Sequence, residues 1–179
     1  MAIEQTVIGR LVGWLTPADE GDWDALYAEQ LPRVYNFFRY RVGDGPEAED
    51  LTSITFEKAW RARYRYRRDL GAFSTWLMTI ARHVAIDAHR RRAGRVHVPL
   101  EEADGVAAGL TPEEMALRRA DGERLAQLLA ALPERERELL ALKYGAGLTN
   151  RAIARLTGLT ATNVGTILHR TIRDLRADW

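Results

Sequence analysis

The sequence predicts an all-α protein built from two small helical domains, joined by an acidic, flexible linker. Three observations carry this. Apolar residues recur at spacings of three and four through most of the 179 residues, and no long run alternates apolar and polar positions as a half-buried strand would. Residues 94–111 break that rhythm with glycines, a proline and scattered acids. The last thirty-odd residues read as helix, tight turn, helix.

The elements follow in order. Residues 1–15 form an apolar stretch interrupted by Glu4 and Arg10, which suits a short amphipathic helix better than a cleaved leader, and Thr16-Pro17 ends it. Asp22 can cap a helix over residues 22–42, with Trp23, Leu26, Tyr27, Leu31, Val34, Phe37 and Phe38 as its core side and Pro32 inside it. Gly43 to Pro46 is a turn in which Pro46 opens the next helix. That helix carries Ala48, Leu51, Ile54, Thr55, Ala59 and Trp60. After a break at residues 69–71, a helix over residues 74–92 presents Trp76, Leu77, Ile80, Val84 and Ile86. Thr111-Pro112-Glu113-Glu114 is a helix start, with a capping hydroxyl, proline in the first turn and acids at the positive end of the dipole. It runs to about residue 132, and residues 134–144 form a shorter helix.

The terminal segment is the most specific. Ile153, Ala154 and Leu156 give a first short helix one apolar face, Gly158 can take positive φ without steric cost, and Thr160 can cap the second helix. Val164, Leu168, Thr171 and Leu175 form an inward stripe at spacings of four, three and four. At 100° per residue, Thr162, Thr166, His169 and Arg173 then lie on the opposite face, with Arg170 at its margin and Asn163 in the first turn. This is the sequence shape of a DNA-reading helix-turn-helix; an ordinary helical hairpin is the alternative.

Composition bounds the remaining choices. The net charge of +1 does not announce nucleic acid, but its distribution does. Residues 58–95 hold eleven basic side chains against two acidic ones, whereas residues 96–115 hold five acids and no Lys or Arg. Arg61, Arg65, Arg68, Arg82, Arg90 and Arg91 are interleaved with Tyr64, Tyr66, Phe73 and Trp76. Cations bind phosphate and aromatic faces stack on unpaired bases, so this mixture suits single-stranded DNA; a solvated Arg-rich surface over a core containing Phe73 and Trp76 is equally compatible. Glu49, Asp50 and Glu57 can present an acidic patch to a protein partner or decorate a helix start. The absence of cysteine excludes disulfides, thiolate nucleophiles and Cys-ligated zinc, and permits a reducing cytoplasm. No apolar run reaches membrane-span length, so membrane insertion is not expected. His83, Asp87 and His89 make a weak two-ligand metal candidate, and an i,i+4 polar pair is the plainer reading. No catalytic residue, cofactor or metal is expected.

Four segments together resemble one family. Residues 47–60 (EAEDLTSITFEKAW), 73–92 (FSTWLMTIARHVAIDAHRRR), 132–140 (LPERERELL) and the terminal motif look like a bacterial RNA polymerase sigma factor of the extracytoplasmic-function, sigma-70-like group. The resemblance implies a domain over residues 20–93 that binds core polymerase and opens the minus-ten element. It implies a linker over 94–111, and a domain over 112–179 that reads the minus-thirty-five element; residues 1–19 lie outside it. By the same resemblance Glu49, Asp50, Thr55, Phe56, Glu57 and Trp60 lie in the polymerase-binding segment. Residues from Tyr66 to Arg92, His83 among them, capture a flipped base and the single strand, and Thr160, Thr162, Asn163, Thr166, His169, Arg170 and Arg173 belong to the duplex reader. Core polymerase, promoter DNA and an anti-sigma factor are the implied partners. The chain departs from the family pattern at His83, where asparagine is usual, and at Gly165-Thr166-Ile167, where cations are usual. A polymerase-independent DNA-binding regulator is the alternative function, and a metal hydrolase on His83 and His89 a remote third.

Overall fold

The computed structural model describes residues 20–43, 45–93 and 112–179, all helix or short connection, with no strand among them. The expected amphipathic helix at the N-terminus and the linker at 94–111 lie outside the described residues. Seven α-helices follow one another: α1 (Glu20–Val42), α2 (Pro46–Arg61), α3 (Phe73–Ala93), α4 (Pro112–Ala131), α5 (Glu134–Leu140), α6 (Asn150–Thr157) and α7 (Ala161–Asp178). A 3-10 turn (Arg63–Arg65) follows α2, and a π-helical turn (Ala141–Gly145) follows α5.

The first three helices enclose an apolar centre. Val34, Phe37 and Phe38 of α1, Leu51 and Phe56 of α2, and Leu77, Met78 and Val84 of α3 are buried. Tyr27, expected in the core, keeps 40% of its surface exposed and lays its ring against Phe56 at 4.4 Å. Two threonines of α2 are buried without penalty, because each hydroxyl donates to the carbonyl four residues back: Thr52 to Ala48 at 2.7 Å and Thr55 to Leu51 at 2.8 Å. The turn into α2 uses Gly43 (φ 91) and Gly45 (φ 120), after which Pro46 occupies the first turn as its sequence position predicted. Pro32 sits within α1, and helical structure continues on both sides of it.

The second half is the helix-turn-helix. Thr149 caps α6 by accepting from the Ala152 N–H at 3.2 Å, and Thr160 caps α7 by accepting from the Asn163 N–H at 3.1 Å. Between them Gly158 stands in the left-handed region at φ 75, and its N–H closes on the Ala154 carbonyl at 3.0 Å. Val164, Leu168 and Thr171 are buried as the stripe predicted, and the Thr171 hydroxyl donates to the Ile167 carbonyl at 2.9 Å.

One element differs from expectation. Residues 134–144 do not form a single α-helix, since the last turn widens to π geometry, with the Ala146 N–H bonded to the Ala141 carbonyl at 2.8 Å. The extra residue in that turn swings Gly145 against the backbone of α1. The buried residues of both halves, Phe37 and Phe38 with Leu139, Leu140 and Leu142, form one continuous core.

Candidate nucleic-acid interface

Three surfaces carry the sequence-predicted site residues. On α2 the exposed positions Glu49, Asp50, Ser53 and Glu57 recur at helical spacing and line one outward face. Glu57 is bound by Arg61 at 2.6 Å, an exposed i,i+4 pair of small energetic weight. Two residues of the segment assigned to polymerase contact are buried: Thr55, which spacing already put on the apolar face, is 0% exposed and Phe56 6%. Their role is to hold the helix whose opposite face carries the acids. Trp60 is half-buried, edge-on to Trp23 with ring centroids 5.2 Å apart.

The second surface is the segment between α2 and α3, where an aromatic cluster is dressed with cations. Phe73 is its buried hub, within 5.8 Å of Trp23, 5.2 Å of Tyr66 and 5.4 Å of Trp76 between ring centroids. Its burial at 8% exposure agrees with the reading that puts Phe73 in the core beneath an Arg-rich surface. Tyr66 and Trp76 are half-buried and 5.4 Å apart, and the Tyr66 hydroxyl donates to the Gly71 carbonyl at 3.3 Å. Burial raises the Tyr66 phenol above its usual value, partly opposed by Arg68. Arg63, a member of the basic run, lies 3.9 Å above the Trp60 ring and 4.2 Å from that of Tyr64. Tyr64 is 64% exposed and Leu70 77% exposed. Arg67 grips Asp69 through two hydrogen bonds of 2.9 and 2.7 Å, which hold the Asp69 carboxyl below the usual range. Arg65 and Arg68 of the same segment are exposed, as are His83, Arg90 and Arg91 along α3. Asp87 turns away from His83 to Lys58, 3.6 Å from its ammonium group. Arg82 is engaged elsewhere: its guanidinium reaches Glu138 of α5 and the Leu156 carbonyl of α6.

The third surface is the outer face of α7. Thr162, Asn163, Thr166, His169, Arg170 and Arg173 are all exposed, on the side away from Val164 and Leu168. Thr160 is exposed too, with its side-chain oxygen committed to the cap. The two flanking departures from the family pattern have a packing cause. A Cβ on Gly165 would stand 3.3 Å from Asn150 Nδ2 of α6, and Ile167 is partly buried against the core, so of the three only Thr166 is exposed. Arg170 pairs with Glu136 at 3.0 Å and Arg173 with Asp174 at 2.9 Å, both exposed and exchangeable for phosphate.

Comparison with known proteins agrees with this layout. The Sigma-70 region 2 family matches residues 26–95, and the Sigma-70, region 4 family matches residues 122–175. The ECF RNA polymerase sigma factor ShbA of Streptomyces griseus is 33% identical over 97% of this chain and 96% of its own length. The ECF RNA polymerase sigma factor BldN of Streptomyces coelicolor is 32% identical over 93% of this chain, which spans 64% of that protein. Among solved structures, the sigma factor RpoE bound to the anti-sigma factor NepR from Bartonella quintana superposes with a TM-score of 0.69 at 20% identity, covering 87% of this chain and 95% of that one. CnrH in complex with the cytosolic domain of CnrY gives 0.67 at 21% identity, covering 89% and 88%. Among the described residues no helix is long and apolar enough to cross a membrane. With region 2 and region 4 in order on one all-helical chain, this protein belongs to the ECF group of sigma-70-like RNA polymerase sigma factors.

Proposed function

We propose that the chain is a dissociable, non-catalytic initiation subunit of cytoplasmic RNA polymerase, which it directs to specific promoters and helps to open them. The acidic face of α2 (Glu49, Asp50, Glu57) binds core enzyme. The segment from Arg61 to Arg91 takes the non-template strand of the minus-ten element: Arg61, Arg65, Arg68, Arg82, His83, Arg90 and Arg91 hold phosphates or base edges, while Tyr66 and Trp76 flank an extruded base. The outer face of α7 reads the minus-thirty-five duplex with Thr162, Asn163, Thr166, His169, Arg170 and Arg173.

One observation carries the strand-opening part: the aromatic cluster is capped by a stacked guanidinium and stands beside a tyrosine that is 64% exposed. Exposed aromatics flanked by cations gain from stacking only when a base is unpaired, so binding energy here is spent on the open form of DNA. No bond is made or broken by the chain; it shifts the duplex equilibrium by binding one state better. A protein that acted on duplex DNA alone has no use for the acidic α2 face, which favours polymerase over a free-standing regulator. RpoE of similar fold is solved in complex with the anti-sigma factor NepR, and CnrH with the cytosolic domain of CnrY, and by that likeness an anti-sigma factor is the regulator proposed here.

Run-off transcription with core polymerase on a pooled promoter library tests the reading. Transcripts that depend on the chain and share two spaced elements are expected. Activity of core that is unchanged by the chain, across the whole pool, rejects it.

A further inference from the structure

The turn after α2 builds a stack that runs from the core out to solvent. Trp60 stands edge-on to the buried Trp23 and is thereby fixed to α1. The chain then tightens to 3-10 geometry, in which residues three apart eclipse, and the Arg63 side chain folds back over the Trp60 ring at 3.9 Å. Its Nη1 donates to the Trp60 carbonyl at 2.8 Å, its Nη2 donates to the Tyr64 hydroxyl, and the Tyr64 ring lies 4.2 Å from the guanidinium. The turn is closed by the Arg65 N–H on the Ala62 carbonyl at 2.8 Å and the Tyr66 N–H on the Arg63 carbonyl at 3.1 Å. Neighbouring Arg61 and Arg67 are paired with Glu57 and Asp69, whereas Arg63 directs its charge at the two rings. Outermost in the stack, Tyr64 keeps 64% of its surface exposed.

We propose that Arg63 makes Tyr64 a purine-selective platform, which takes an unpaired guanine on its outward side in preference to thymine or cytosine. The inference rests on the single-strand reading above and sharpens it from base stacking to base choice.

The reason is electrostatic. An isolated phenol ring carries negative potential on both faces. A guanidinium seated on one face draws π density toward itself, so the other face is left electron-poor. Such a face stacks best on a large, electron-rich base. Guanine is the most electron-rich of the four, and either purine covers more of the ring than a pyrimidine does. Arg63 touches no base in this arrangement, because its guanidinium is already engaged by Trp60 and Tyr64. It is a positioning residue that acts through Tyr64.

The test is fluorescence anisotropy of the full chain on labelled oligothymidylates that carry one central guanine, 7-deazaguanine, adenine or cytosine. The guanine strand is expected to bind about fivefold more tightly than the all-thymine strand, within what stacking on one base supplies. 7-Deazaguanine lacks the N7 acceptor but is richer in electrons, so it is expected to bind at least as tightly as guanine. Loss of the preference on that substitution assigns it to hydrogen bonding by an arginine and overturns the proposal. Arg63→Met keeps the length of the side chain without its charge and is expected to bring the guanine-to-thymine ratio to about one, as is Tyr64→Ala. Arg63→Lys, which keeps a cation behind the ring, and Tyr64→Phe are expected to retain most of the preference. A merely structural Arg63 would weaken every strand alike and leave the ratio unchanged, and that outcome overturns the proposal. Wild-type protein that binds all strands alike, or none, overturns it too. If Arg63→Met loses its far-UV circular dichroism, the wild-type strand series and Tyr64→Ala decide alone. No titration contains polymerase, so a chain that yields no transcript yet prefers guanine loses the initiation role and keeps the platform, and a chain that transcribes without the preference loses only the platform.

Discussion

Thr166→Arg restores a cation at the one outward-facing position of the Gly165-Thr166-Ile167 stretch. The side chain is exposed, and its hydroxyl donates to the Thr162 carbonyl at 3.1 Å, an additional bond to a carbonyl that the helix already uses. Losing it costs little, and replacing a β-branched residue by Arg gains a few tenths of a kcal/mol in helix propensity. A new phosphate contact releases about 0.9 of a counterion, so the binding constant for duplex DNA rises by about eightfold at 0.1 M salt and by only about twofold at 0.5 M. Fluorescence anisotropy of the full chain on a random duplex, repeated across that salt range, reads both the affinity and its slope. The slope of log K against log salt is expected to steepen by about 0.9. An unchanged slope places Thr166 away from the phosphates and refutes the assignment of α7. The control is Gly165→Arg, where the Cβ would meet Asn150 Nδ2 at 3.3 Å: it adds the same charge but strains the α6–α7 crossing, and is expected to lower the melting temperature.

Three further outcomes are expected. Asp50→Arg reverses an exposed charge on α2, leaves the circular dichroism spectrum unchanged, and weakens co-purification with core polymerase by about tenfold or more, because like charges now face each other across the contact. Phe73→Ala empties the hub of the aromatic cluster and destabilises the domain by about 3–5 kcal/mol in urea titration, whereas Tyr64→Ala leaves stability within about 0.5 kcal/mol and reduces promoter opening, read by permanganate footprinting. Asp69 titrates below the ordinary carboxylate value because Arg67 hydrogen-bonds its charged form; the order it gives the loop is present above the unfolded pKa of about 3.9 and is lost as pH falls through the lower folded value. Arg67→Ala returns the carboxyl resonance midpoint, followed by NMR, to the ordinary range.

The helices were legible because their signals are local. Pro46, Thr160 and Gly158 each perform in the structure the capping or turning role that their chemistry suggests at that spacing. The buried stripe of α7 was legible for the same reason: periodicity depends on one helix alone. Burial was legible in part: spacing put Thr55 on the apolar face of α2, and a core position for Phe73 was one of two readings, whereas Phe56 turns inward on neighbours such as Tyr27 of α1 that no spacing rule connects to it. Arg63 gave no periodic signal, since its partners Trp60 and Tyr64 meet it across a 3-10 turn. Glu134, Glu138 and Gly145 were unreadable as a set: their partners Arg41, Arg82 and Asn36 lie in the other domain, and no rule of spacing connects them.

The two acids at the contact between the halves, Glu134 and Glu138, are not equivalent. Glu134 keeps 43% of its side chain exposed, so water screens its pairing with Arg41 and its loss is tolerated. Glu138 serves two guanidiniums from a site only 15% exposed. Removing one partner of such a buried group leaves uncompensated charge behind, whereas separating the whole set returns every charge to water. Arg41 shows the tension: burial pulls its pKa down while Glu134 and then Glu138 push it up. Separating the two halves would return Arg41, Arg82 and Glu138 to water together, so the ion pairs add little to the net stability of the contact. Their contribution is alignment, because only one docking pose satisfies both guanidiniums at once. The holding force comes from the apolar contact around Phe37 and Leu142 and from the flush fit of Gly145, which a single methyl group disrupts.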